Sequence, residues 1–119
     1  MHPQLETLLE IQDLKTQRRE LQETASERAM QEEVFNLGAD QAIVQLDEKI
    51  AEMEDTLPTL TRNRYNRIAS RYERVMVPVI GGTCYGCFVS VPTALSSDAD
   101  RNNEVRACQN CGRFLYLID

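Results

Sequence analysis

A chain of 119 residues that is 42% hydrophobic but only 6% aromatic, with no Trp and three Phe, suits one small domain or an elongated helical element carrying one; it excludes a large aromatic core. Its net charge of −6 makes it a poor non-specific binder of nucleic acid, because counterion release needs a cationic footprint. No apolar run approaches the ~20 residues that cross a bilayer, so no membrane partner is expected.

From Pro3 to about Val75 the sequence is rich in Glu, Gln, Leu, Arg and Ala with one internal Gly and one internal Pro, which predicts helix throughout. Leu5, Leu8, Ile11, Leu14, Leu21 and Ala25 form a loose apolar stripe in the first half. In the second half Ile43, Leu46, Ile50, Met53, Leu57 and Leu60 recur at spacings of 3, 4, 3, 4 and 3, the pattern of a heptad seam. Between the halves, Gly38 suits a left-handed position after a helix and Asp40 can cap the next one. The expectation is therefore a mainly α chain: a long antiparallel helical hairpin over residues 1–76, turning near 37–40, with a kink at Leu57–Pro58 where proline removes a backbone donor. A single long helix pairing with a second chain is the alternative, so monomer and coiled-coil dimer both stay open.

Charge is segregated along this half. Residues 1–61 hold 5 basic and 14 acidic side chains, whereas 62–76 hold five Arg and one Glu. Arg64, Arg67, Arg71 and Arg74 recur at helical spacing, with Tyr65 and Tyr72 nearby for stacking, and so form a candidate site for nucleic acid or an acidic partner. A hairpin turning near residue 38 would instead set Arg64, Arg67 and Arg71 against Asp13, Glu10 and Glu6, and ion pairs that fix register are the favoured expectation for the row.

After Met76 the period changes. Val77–Ile80, Phe88–Val91 and Phe114–Ile118 read as short strands, Gly81-Gly82 as a turn, and 92–103 as polar loop. Residues 77–119 thus form a second unit, a small β ribbon. It carries Cys84-Tyr85-Gly86-Cys87 and Cys108-Gln109-Asn110-Cys111, two pairs separated by a stretch (88–107) within the spacing of two zinc knuckles. Two residues between cysteines let one turn aim both thiolates at an ion about 2.3 Å away, and a second turn completes a tetrahedron. Gly86 and Gly112 are expected to supply positive φ in these turns. Disulfides would need an oxidising compartment, yet no apolar leader follows Met1-His2-Pro3, which points to the cytoplasm. Iron also suits four thiolates and is the remaining rival to zinc.

Four cysteinates fill the coordination sphere, so one structural Zn2+ and no catalytic metal is expected. The single His2 leaves no Ser-His-Asp or Cys-His set to assemble, which argues against an enzyme.

Val77-Pro78-Val79, Gly81-Gly82-Thr83-Cys84, Val91-Pro92 and Cys108-Gln109-Asn110-Cys111-Gly112-Arg113-Phe114-Leu115-Tyr116 resemble the four-cysteine zinc ribbon that ends a family of bacterial coiled-coil proteins, and Tyr72-Glu73-Arg74 resembles that family's junction. The resemblance implies a helical hairpin before the ribbon and a non-enzymatic adaptor. Such proteins bind protein partners, and some nucleic acid, in transcription or in flagellar and secretion assembly. This chain's hairpin is about half the family's usual length. A polymerase secondary-channel factor with an acidic hairpin tip is a further alternative; here the tip would offer Asp40 with Glu32 and Glu33, beside Phe35 and Leu37.

Overall fold

The structure, a computed structural model, describes residues 1–28, 33–92 and 102–118. Three helices, α1 (Pro3–Arg28), α2 (Glu33–Asp55) and α3 (Thr59–Ala69), precede four short strands, β1 (Met76–Ile80), β2 (Thr83–Cys84), β3 (Arg106–Ala107) and β4 (Phe114–Ile118).

The start of α1 is tied down rather than frayed. The His2 ring Nδ1 accepts the Gln4 N–H at 3.0 Å and the His2 backbone N–H donates to the Asn102 carbonyl at 2.6 Å. This satisfies a first-turn donor that has no partner inside the helix. Leu5, Leu8 and Ile11, at spacings of three, form its fully buried stripe.

α2 already runs through Gly38 and Asp40, so the turn expected at 37–40 is corrected: those residues are helical, and α1 has ended at Arg28 before α2 begins at Glu33. A glycine costs about 1 kcal/mol inside a helix, which neighbouring helix formers and the burial of Ala39 can offset. Two contacts fix the resulting register. Arg18 pairs with Asp47 at 2.5 Å, and the Thr61 hydroxyl donates to Gln4 Oε1 at 2.6 Å. As one residue number falls the other rises, so α1 runs antiparallel to the α2–α3 arm. The numbers of each pair add to 65 rather than to the 76 expected from a turn near residue 38. The acidic tip considered at Glu32, Glu33, Phe35 and Leu37 lies outside the described residues or side chains, and Asp40 sits within α2.

The second arm breaks where proline demands it. α2 ends at Asp55, Pro58 stands at the N-cap of α3 with ψ 149°, and the Arg62 guanidinium donates to the carbonyls of Asp55 and Leu57 at 2.9 and 3.0 Å. The break resets the helical register. Leu57 is buried, but Leu60, the expected next seam residue, is 75% exposed; α3 turns Thr61, Tyr65 and Ile68 inward instead. α3 stops at Ala69, short of the expected Val75, with Ser70 as its C-cap. Arg71 and Arg74 therefore lie beyond the helix.

The sheet order is β2-β1-β4-β3, and its central pair, β1 with β4, is parallel, from Met76 opposite Phe114 to Ile80 opposite Ile118. The outer pairs are antiparallel. The strand expected at 88–91 is corrected: Phe88 adopts φ 61°, which interrupts extended backbone, and only a Thr83–Ser90 bridge remains there.

Because side chains alternate along a strand, the central pair has two faces. Met76 and Phe114 join Leu5, Leu8, Ile11, Ile50, Leu57, Tyr65, Ile68 and Val75 in one buried cluster. Val77, Val79 and Leu115 face the other way and pack with Cys84 and Cys108. Gln12 adds a polar clamp: its amide accepts the Met76 N–H at 2.8 Å and donates to the Met76 carbonyl at 3.1 Å, as a neighbouring strand would. Helices and ribbon share a core.

Two substitutions check this assignment of faces. Phe114→Ala, in a fully buried ring position, should cost about 3–5 kcal/mol, and Leu57→Ala about 2–5. Leu60→Gln should stay within about 0.5 kcal/mol by denaturant unfolding, although an unbroken heptad seam would make it as damaging as Leu57→Ala.

Candidate metal centre and arginine cluster

Two turns built alike bring the four cysteines together. In the first, the Cys84 N–H donates to the Val89 carbonyl and the Phe88 N–H to the Cys84 carbonyl, at 3.0 and 2.7 Å. In the second, the Cys108 N–H donates to the Arg113 carbonyl and the Gly112 N–H to the Cys108 carbonyl, both at 2.9 Å. Residue by residue, Tyr85 then corresponds to Gln109, Gly86 to Asn110 and Phe88 to Gly112.

That correspondence revises the expected glycine roles. Gly112 has φ 79°, as expected, but the matching positive φ in the first turn belongs to Phe88, not Gly86. Gly86 is required for space instead: a Cβ there would meet Arg113 Nη1 and a Val77 methyl at 3.0 Å. The Arg113 guanidinium in turn lies over the Tyr72 ring at 3.7 Å, joining the first turn to the segment after α3. Holding a phenylalanine at positive φ costs roughly 1–2 kcal/mol. The sequence signal was present, since Cys111 is followed by Gly and Cys87 by Phe.

All four Sγ atoms lie within 4.8 Å of one another, with Cys84 to Cys111 at 3.9 Å and Cys87 to Cys108 at 3.7 Å. A tetrahedron with bonds of about 2.3 Å has edges of about 3.8 Å, so the donor set fits one zinc with little movement. The thiols are unlinked. Four sulfurs close the coordination sphere, which makes the ion structural: it would tie the loop after β1 to the segment before β4.

The thiols differ in readiness to ionise. Burial pushes Cys111 up to about 12 and raises Cys84 as well, whereas a hydrogen bond from the Asn110 side chain lowers Cys87 to about 6. At neutral pH without metal, Cys84 and Cys111 are protonated and must lose those protons to bind.

The candidate arginines divide. Arg64, Arg67 and Arg71 line one open cleft of about 270 Å³ together with Tyr72, Cys111 and Gly112 of the second turn. Arg74 is exposed and does not line it. Tyr65, expected to offer a stacking face, is 1% exposed with the Lys15 ammonium 4.8 Å from its ring centre, and Tyr72 is half-buried beneath Arg113. The pairs expected with Asp13, Glu10 and Glu6 are not formed: among the described residues, no carboxylate bridges Arg64, Arg67 or Arg71. In the register set by Arg18–Asp47 and Thr61–Gln4, where facing residue numbers add to 65, Glu6, Glu10 and Asp13 do not face the arginines. The acid nearest in sequence, Glu73, is engaged by Arg19 at 2.6 Å.

Residues 83–115 match the family described as the C4-type zinc ribbon domain, and the match spans all four cysteines. No curated protein and no solved structure matches the chain. The chain thus carries a C4 zinc ribbon, a kind of domain compatible with binding nucleic acid or protein. Among the described residues no helix is long and apolar enough to cross a membrane.

Zinc affinity should fall steeply with acid. Each binding event displaces protons from Cys84 and Cys111, so affinity should weaken at least about 100-fold per pH unit from pH 8 to about 6, and more steeply below, where Cys87 also protonates. Competition with a chromophoric chelator across this range measures the slope; a slope of one unit or less would contradict it.

Proposed function

We propose that the protein is a non-enzymatic adaptor whose zinc ribbon and α3 together present Arg64, Arg67 and Arg71 to the phosphates of a nucleic acid. The observation that carries this reading is that Arg64, Arg67 and Arg71 all line one open cleft and have no carboxylate partner among the described residues. Arginine is always charged, and its planar fork matches phosphate oxygens in pairs. The Arg64 guanidinium rests over the Phe114 ring, 5.3 Å from its centre, and an anion in the cleft would meet cationic side chains that no carboxylate of the described residues neutralises.

The overall charge of −6 disfavours non-specific binding but leaves room for a local site. At physiological salt the field of exposed charges decays over about 8 Å, so a ligand at the cleft responds mainly to the groups lining it. A non-enzymatic role accords with the chemistry that the four thiols and the sole imidazole already serve: the thiols are placed to hold the metal, and His2 caps α1. Zinc held by unlinked thiols suits a reducing compartment, consistent with a cytoplasmic role. An adaptor role in transcription or in secretion assembly accords with the coiled-coil zinc-ribbon proteins that the chain resembles. Any protein partner would then be brought to the nucleic acid through the helical arm.

The test is affinity against salt. The parent should bind a single-stranded oligonucleotide with a steep salt dependence. Arg64→Gln, Arg67→Gln and Arg71→Gln combined should reduce the slope of log K against log salt by about 2 to 3 and lower stability by no more than the roughly 0.5–1 kcal/mol of the Arg64–Phe114 ring contact, since no ion pair is lost. Binding that is absent in the parent, or a variant that melts lower while binding equally well, would overturn the reading.

A further inference from the structure

The first metal-binding turn carries a feature that zinc binding does not require. Phe88 occupies the position that Gly112 fills in the twin turn, at φ 61°, yet its ring is 70% exposed. The backbone is strained and the side chain gains little burial in return. Where a chain departs from the unstrained choice without a packing gain, a functional role is the usual reason. Tyr85, 46% exposed, stands beside it with ring centres 5.6 Å apart and planes inclined by 53°. Two aromatic rings therefore face solvent from one turn, whereas the twin turn has Gln109 and Gly112 there.

We propose that Tyr85 and Phe88 form a stacking platform for one or two unpaired bases of a single-stranded nucleic acid. The proposal rests on the reading of the arginine cleft as a phosphate site. Two observations select this occupant. A cleft of about 200 Å³ is lined by Val89 to Pro92, the residues that follow Phe88, and by Cys108, Gln109 and Asn110, so it adds the Gln109 amide, which can donate and accept, to the stretch that continues from the aromatic turn. On the other side of the same five-residue segment, Cys111 and Gly112 border the arginine cleft. The second metal-binding turn thus lines both the cationic cleft and the cleft that continues from Phe88. An acidic protein would satisfy the arginines and an apolar protein the rings, but a flexible polyanion with flat apolar faces satisfies both. A duplex keeps those faces stacked inside, so the platform selects single strands.

The experiment uses the full zinc-loaded chain and two labelled DNA strands of the same length, roughly ten nucleotides, one with bases and one built of abasic sites. The parent should prefer the strand with bases by roughly 10-fold or more, the lower range of what a stacked base contributes. Phe88→Gly should lose that preference and keep its affinity for the abasic strand, while its melting temperature holds or rises because the strain is relieved. Phe88→Tyr should retain the preference, and Tyr85→Ala should reduce it. Equal parent affinities for the two strands would overturn the platform and leave the arginine site standing, with the rings then free for a protein contact. Parent binding to neither strand at low salt would overturn both readings. A Phe88→Gly protein that melts lower would show that the ring is structural and likewise overturn the proposal.

Discussion

The parallel pairing of β1 with β4 is the constraint on which the rest of the molecule depends. Each strand has five residues, and the two are far apart in sequence, so their pairing must overcome a large loop-closure entropy with few hydrogen bonds. Zinc closes that loop where it matters. Cys84 follows β1 directly through the Gly81-Gly82 turn, and Cys108 and Cys111 immediately precede β4, so a single ion would staple both ends. Structural zinc contributes on the order of 10 kcal/mol, which a unit of this size cannot obtain from burial alone. Once formed, the strand pair offers Val77, Val79 and Leu115 to the metal side and Met76 and Phe114 to the helices.

The same geometry explains why the arginines are left open. Pro58 ends α2 and starts α3 in a new register, so the face carrying Thr61, Tyr65 and Ile68 goes to the core and Arg64 and Arg67 go to its margin. α3 then stops at Ala69, and Arg71 joins the cleft from the connecting segment rather than from a helix. Met76 enters β1 held by Gln12, which ties the central strand of the ribbon to α1. The cleft is thus a by-product of docking the ribbon against the helices. Both halves are needed to make it.

Much of this was legible in the sequence, for identifiable reasons. Cysteine spacing reports ligand geometry directly, and Val77–Ile80 and Phe114–Ile118 declared themselves by β-branched and aromatic content. The turn expected near residue 38 does not occur there: Gly38 and Asp40 are strong punctuation by composition, yet both lie inside α2. The observed register shifts every facing pair by about 11 and undoes the ion pairs expected of the arginine row. Parallel pairing was invisible because it joins segments whose relation is set by the metal, not by a turn between them. Residues 106–107 are too few to show a period at all. Phe88 was overlooked because Gly86 looked like the residue that the turn required, when its own need was for space beside Val77 and Arg113.

Hydrogen exchange read amide by amide, with zinc bound and after chelation, addresses the central claim most directly. If the metal holds the β1–β4 pair on which both cores rest, chelation should abolish protection from Val77 to Ile80 and from Leu115 to Leu117, and should also lower protection around Leu5, Leu8 and Ile11, which pack on Met76 and Phe114. Strand amides that stay protected without zinc would contradict the account, as would loss in the strands with the α1 amides unchanged.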